Sequence, residues 1–219
     1  MSISLILDTL FIQVVPFFFA IVLHEISHGV AAYCLGDDTA KREGRFKLYT
    51  HFDLWGSLII PVLLILGHSP FIIGYAKPVP VDIRKFKDPV ADMAIVAIAG
   101  PLCNLLLAVI SAWLLKHNFD VMPGAFQKFS GCFIMTNLSL FFFNLVPIPP
   151  LDGSRIVAAI IPTAWLEKYY ALESFGFFIL IAVEMTSRYV SGIIGYDVSL
   201  FHLFIGIPAN GILQRLFST

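Results

Sequence analysis

Charged residues are spread so unevenly along this chain that its hydrophobic segments define themselves. Three runs without Asp, Glu, Lys or Arg, at 54–76, 93–115 and 129–151, are each 23 residues long. That is enough for an apolar helix to cross a hydrocarbon core about 30 Å thick. Two weaker candidates follow, 174–183 with its flanks and 198–214. An N-terminal run from about residue 4 to residue 35 predicts a helix of roughly 48 Å, longer than the core is thick. Gly36-Asp37-Asp38 stops it. The pattern predicts an all-α, polytopic transmembrane helical bundle with about five or six membrane segments.

The polar loops qualify this picture. Residues 36–53 carry Lys41, Arg42, Arg45 and Lys47, and residues 77–92 carry Lys77, Arg84, Lys85 and Lys87. The loop at 116–128 carries only Lys116 and Lys128. The positive-inside rule puts the first two loops on the cytoplasmic side, which is incompatible with a full crossing by 54–76 between them. Pro61, Gly67, Pro70, Gly74 and Pro78 interrupt that run and favour a re-entrant element. Residues 45–52 (RFKLYTHF) alternate and predict a short membrane-associated β element. No repeat, linker or appended regulatory domain is visible, so residues 1–219 read as one integral membrane domain.

Composition agrees. The chain is 58% hydrophobic and 13% charged, with a mean hydropathy of +0.85; a soluble domain has about 25% charged residues. The lipid bilayer is therefore its solvent. A net charge of −1 gives no electrostatic footprint for nucleic acid. Cys34, Cys103 and Cys132 are widely separated and read as small buried residues, without a CxxC or a disulfide framework.

Against this background His24-Glu25-Ile26-Ser27-His28 stands out on the first apolar helix. His24 and His28, four residues apart, share a helix face and can reach one metal ion. Glu25 beside them can hold and deprotonate a water. Ionisable groups in a membrane helix are costly and mark function; the bland alternative is a wet helix end at the interface. A zinc site needs a third protein ligand, and His51, His68, His117, His202 or a carboxylate could supply it.

A second stretch, Phe143-Asn144-Leu145-Val146-Pro147-Ile148-Pro149-Pro150-Leu151-Asp152-Gly153-Ser154-Arg155, ends an apolar run in three closely spaced prolines. Such backbone is tolerated at membrane depth only where it packs in protein or lines a wet cavity. Asp152 on that break is well placed as the third ligand, or else it belongs to an ordinary interfacial loop. If 54–76 is re-entrant, 93–115 goes out and 129–151 returns, bringing Asp152 to the side of His24 and His28. A full crossing would send it to the opposite side. Loop charge and metal binding thus demand one topology.

HEISH at 24–28 followed by NLVPIPPLDG at 144–153 resembles the site-2 proteases, intramembrane zinc metalloproteases marked by HExxH and a later NxxPxxxLDG. Both patterns match at every fixed position. Gly56-Ser57, residues 74–81 (GYAKPVPV) and 99–104 (AGPLCN) extend the likeness to compact prokaryotic members without PDZ or CBS domains, over about residues 15–160. Ser154, where many relatives have a second glycine, is a small departure. The resemblance implies zinc held by His24, His28 and Asp152, Glu25 as general base, and Asn144 holding substrate or the developing oxyanion. It also implies single-span membrane proteins as substrates, cut within or near their transmembrane segments. The expected location is the plasma membrane of a prokaryote, with the active site toward the cytoplasm.

The remaining polar residues have simpler readings. Asn104 is expected to make an interhelical hydrogen bond, with Gly100 allowing close packing. His51 and His68 are expected at a surface or interface, and Glu184 to pair with Arg188 four residues on. The competing functional class is a zinc-binding transporter or non-proteolytic scaffold. An intact Glu25 argues against it, because metal binding alone does not need that residue.

Overall fold

The structure, a computed structural model, describes residues 3–67 and 74–218. Helix α1, Ile3–Cys34, contains Pro16 and ends where Gly36 turns the chain with a φ of 104°. Asp37, which no solvent reaches, then accepts from the Thr39 amide at 3.0 Å, the Thr39 hydroxyl and the Asp82 amide at 2.7 Å. Lys85 Nζ lies 3.1 Å from the same carboxylate and 2.6 Å from Asp38. The two basic loops are therefore bonded to each other beyond the Cys34 end of α1.

Burial pushes the Asp37 carboxyl up, but the bonds from Thr39, Asp82 and Lys85 outweigh it and hold it below the usual carboxylate range. Its stabilising contribution is complete above the unfolded value near ~4 and is lost as pH falls through the lower folded value. Asp37→Ala is expected to cost about 2–3 kcal/mol, because the amide and ammonium partners lose a buried acceptor. Thermal melts in detergent check this: wild type should destabilise on acidification below about pH 4, and the variant should lack this component.

Helix α2, Leu54–Leu66, opens as a wide π-type turn over Leu54–Ile59. Asp53 caps it by accepting from the Trp55 and Gly56 amides at 3.0 and 2.9 Å. Thirteen residues make only about 20 Å of helix, too short to cross a membrane. The chain then returns to its starting point. The Tyr75 amide donates to Gly56 O at 3.0 Å, the Ser57 hydroxyl to Tyr75 O at 3.1 Å, and the Lys77 amide to His51 O at 2.9 Å. A Cβ on Gly56 would sit 2.5 Å from the Tyr75 ring, so only glycine permits this approach. Residues 75–82 follow without helix or strand.

Asp88 caps helix α3, Pro89–Asn118, through the Val90 and Ala91 amides, with Pro89 at its first position. Helix α4, Gly124–Asn144, packs with α1 and α3 into the centre of the molecule. Ala108, Ala112, Leu115, Ile134 and Leu138 are buried between α3 and α4. Small side chains there let the helices approach closely, as membrane bundles require. An irregular segment with a cis Pro149–Pro150 bond leads into α5, Asp152–Ala158, which packs on α3. Helices α6, Thr163–Ala171, α7, Gly176–Ile194, and α8, Ile207–Ser218, complete the chain.

Some expectations need correction. Among the described residues three stretches, Leu10–Cys34, Pro89–Val121 and Thr163–Ile194, are long and apolar enough to cross a membrane, fewer than the five or six expected. Helix α4 is not among them: it is Gly124–Asn144, not the uncharged run 129–151, and it includes Gln127 and Lys128. No strand forms at 45–52; Leu48–His51 makes a single 3-10 turn. The reason is His51, which is wholly buried instead of at a surface, with Nδ1 2.9 Å from Lys77 O and Nε2 2.6 Å from Arg45 O. Those contacts curl the segment around one ring and remove its alternation. The three cysteines are free, but none is buried as expected: Cys34 is exposed, and Cys103 and Cys132 are half-buried. Glu184 is buried, pairs with Arg188 as expected, and also accepts from the Phe201 amide. His68 lies outside the described residues.

Candidate metal centre

Helical spacing brings His24 and His28 together on α1, with ring centroids 4.6 Å apart and edge to face. The proline-broken segment after α4 delivers Asp152, the first residue of α5, onto the same spot. The three facing atoms form a compact triangle. His24 Nε2 is 3.0 Å from His28 Nε2 and 3.1 Å from Asp152 Oδ2, and His28 Nε2 is 3.4 Å from that oxygen. Ligands of a tetrahedral zinc ion at ~2.0–2.1 Å stand about 3.3–3.4 Å apart, so the triangle has nearly the dimensions of one face of that tetrahedron.

The donor set fits a metal on independent grounds. Asp152 Oδ2 is buried and accepts no hydrogen bond although two imidazole nitrogens approach it. His28 Nδ1 lies 2.8 Å from Val96 O, which can only accept, so the proton is on Nδ1 and Nε2 presents a lone pair. His24 Nδ1 lies 2.6 Å from Asn104 Oδ1. Lone pairs that converge without a hydrogen between them are costly unless a cation joins them. His24, His28 and Asp152 form such a group among the described residues. Zinc would be held by these three.

Space for the two rings comes from α3. A Cβ on Gly100 would lie 2.5 Å from His28 Cε1 and 2.6 Å from His24 Cε1 and Nε2. The AGPLCN stretch thus clears a place for both imidazoles, more than the helix packing expected of Gly100. Asn104 makes its interhelical bond, and makes it to His24 as well as to Ala20 O.

Glu25 faces a cavity of about 260 Å³ together with His28 and Asp152, opposite Val79, Val81 and Met93. Its Oε2 accepts from the Val79 amide at 3.0 Å, which fixes the carboxylate beside the triangle. The Val79 contribution is backbone, and no side-chain motif could have announced it. Asn144 donates its amide to Leu140 O on its own helix at 3.0 Å. His51 is held in the loop described above. His117 turns back to Trp113 O, and His202 lies 3.6 Å from Asp197, so none of these three supplies the third ligand.

A family model described as Peptidase family M50 matches residues 120–183, a stretch that includes Asn144 and Asp152. The chain is 38% identical over 182 residues to "Putative zinc metalloprotease YwhC" of Bacillus subtilis, covering 79% of this chain and 80% of that one. It is 33% identical over 178 residues to "Putative zinc metalloprotease Rip2" of Mycolicibacterium smegmatis, covering 76% of this chain and 64% of that one. It is 30% identical over 112 residues to "Stage IV sporulation protein FB" of Bacillus subtilis, covering 46% and 37%. No solved structure matches it.

Proposed function

The chain belongs to peptidase family M50 and is a zinc metalloprotease, and from that premise we propose that it hydrolyses peptide bonds within or near the transmembrane segments of single-span membrane proteins. The observation that carries this reading is the depth of the metal triangle. His24 and His28 lie within the apolar stretch Leu10–Cys34, roughly 9–15 Å of helix from its Cys34 end. A soluble peptide has no reason to enter there, whereas a substrate helix shares the same lipid.

His24, His28 and Asp152 would hold zinc, which would supply polarisation of the scissile carbonyl and acidification of a water molecule. Glu25, held by the Val79 amide, takes the proton from the attacking water and returns it to the leaving amine. Asn144 holds substrate or the developing oxyanion from the helix end that precedes the proline break. A substrate helix hides its carbonyls in its own hydrogen bonds and must unwind before attack. Residues 75–82, free of helix or strand and with Val79 and Val81 on the cavity, offer backbone against which an unwound segment can lie.

The return of Tyr75 to Gly56 and the bonding of the two basic loops support a re-entrant 54–76 with both flanks in the cytoplasm. The active site then opens toward the cytoplasmic face of the plasma membrane. The test uses the purified protein in detergent with candidate single-span substrates and mass-spectrometric mapping of products. Cuts are expected inside or at the edge of the span. They should disappear on zinc chelation, return with zinc, and slow when helix-breaking residues in the span are replaced by leucine. Cleavage confined to soluble flanks, or undiminished without zinc, would overturn the proposal.

A further inference from the structure

Asn137 is a fully buried amide in the middle of α4 that neither touches the metal triangle nor belongs to either sequence motif. Its contacts run in one direction. Asn137 Nδ2 donates to Phe133 O at 2.8 Å, and its Oδ1 accepts from Asn104 Nδ2 at 2.8 Å. Asn104, also fully buried, spends the other hydrogen of Nδ2 on Ala20 O at 3.1 Å. That leaves Asn104 Oδ1 facing His24 Nδ1 at 2.6 Å.

The polarity of this chain has one solution. Backbone carbonyls only accept, so Phe133 O fixes the Asn137 amide. Asn137 Oδ1 at 2.8 Å together with Ala20 O at 3.1 Å then holds both hydrogens of the Asn104 amide, neither alone holding it as firmly. Rotating either amide by half a turn would bring oxygen against oxygen at fully buried positions. With both amides fixed, Asn104 Oδ1 can only accept, and His24 must carry its proton on Nδ1. Its Nε2 then presents a lone pair to the site.

We propose that Asn137 and Asn104 form a two-amide relay from α4 through α3 that sets the tautomer of His24 and so prepares it to bind zinc. The two histidines are prepared differently. His28 takes its orientation from a backbone carbonyl, Val96 O, which no side-chain change removes. His24 depends on side chains, and through them on a residue of a third helix. Asn137 is thus a positioning residue for the metal centre. Outer partners of this kind change metal affinity by about 10–100-fold when lost. The relay rests on the proposed role of His24 as a zinc ligand.

The experiment measures zinc affinity of the full chain in detergent by competition with a chromophoric chelator. It also reads histidine tautomers by ¹⁵N NMR of zinc-free, ¹⁵N-histidine-labelled protein, with His24 assigned from its loss in His24→Ala. Wild type is expected to show His24 protonated on Nδ1. Asn137→Leu is expected to populate the Nε2-protonated form and to bind zinc about 10–100-fold more weakly. Leu138→Ala, which opens the core one residue away without touching the relay, is expected to lower thermal stability and leave zinc affinity and tautomer unchanged.

An Nε2-protonated His24 in wild type overturns the relay whether or not any variant folds. Wild-type zinc affinity and tautomer in Asn137→Leu, alongside weakened binding in His24→Ala, overturn it while leaving the metal reading intact. Unchanged zinc affinity in His24→Ala overturns both.

Discussion

Glu25→Gln is expected to lower cleavage by about 10³-fold while zinc remains bound at the wild-type ratio. Glutamine matches glutamate in size, and its side-chain oxygen can still accept from the Val79 amide 3.0 Å away. Glu25 is outside the triangle of His24, His28 and Asp152, so the ligand set is unchanged. What disappears is the ability to take a proton from the attacking water and return it to the leaving nitrogen. Losing a positioned general base commonly costs between about 10² and 10⁴ in rate. The loss should fall on kcat more than on KM, because the proton moves in the transition state and not on binding. Zinc analysis and cleavage of one single-span substrate, measured on the same preparation, check this. Cleavage within a few-fold of wild type would remove Glu25 from the mechanism. Lost zinc would instead make it part of the metal site.

Much of this centre is legible in the sequence because it depends on local rules. A four-residue spacing puts His24 and His28 on one face of any α-helix. Three prolines in four residues must end an apolar helix, and that end exposes Asp152 at a new helix start. Loop charges place two basic segments on one side, and the ion pairs of Lys85 with Asp37 and Asp38 join those segments.

The parts that escape the sequence depend on distant contacts or on backbone. His51 defeats the alternation of its own segment by engaging carbonyls of Arg45 and Lys77, one of them 26 residues away. The Val79 amide meets Glu25 across 54 residues and carries no side-chain signature. Asn137 offered a faint signal, an amide within an apolar run, where a buried polar group needs a partner. Its partner lies 33 residues earlier, and no periodicity within α4 points to it. The uncharged run at 129–151 also does not mark the helix itself, which is Gly124–Asn144 and takes in Gln127 and Lys128. That helix packs among its neighbours and contributes the amide of Asn137.

The second large effect is expected at Gly100, a residue with no chemistry of its own. Gly100→Ala places a methyl group 2.5 Å from His28 Cε1 and 2.6 Å from His24 Cε1 and Nε2, inside the contact distance of any real Cβ. Neither ring can yield cheaply. His24 is tied at Nδ1 to Asn104 Oδ1 and His28 to Val96 O, and both acceptors lie on α3, the helix that carries Gly100. If α3 backs away from α1 to admit the methyl, it draws Asn104 and Val96 with it and loosens both ligands. If the rings turn instead, the Nε2 atoms leave the triangle. Overpacking of this kind costs about 1–3 kcal/mol of stability, and displacing two ligands at once should weaken zinc binding by 100-fold or more. Gly131→Ala in α4 is the matched control, because a Cβ there meets nothing within 4 Å. Helix propensity then favours alanine by up to about 1 kcal/mol. Zinc retention after dialysis against a weak chelator, with thermal melts of both variants, separates the outcomes. Gly131→Ala should keep its zinc and melt at or above wild type. Gly100→Ala should lose zinc even at temperatures where its helices remain folded. Full zinc retention by Gly100→Ala would mean that the rings do not depend on the space this glycine leaves.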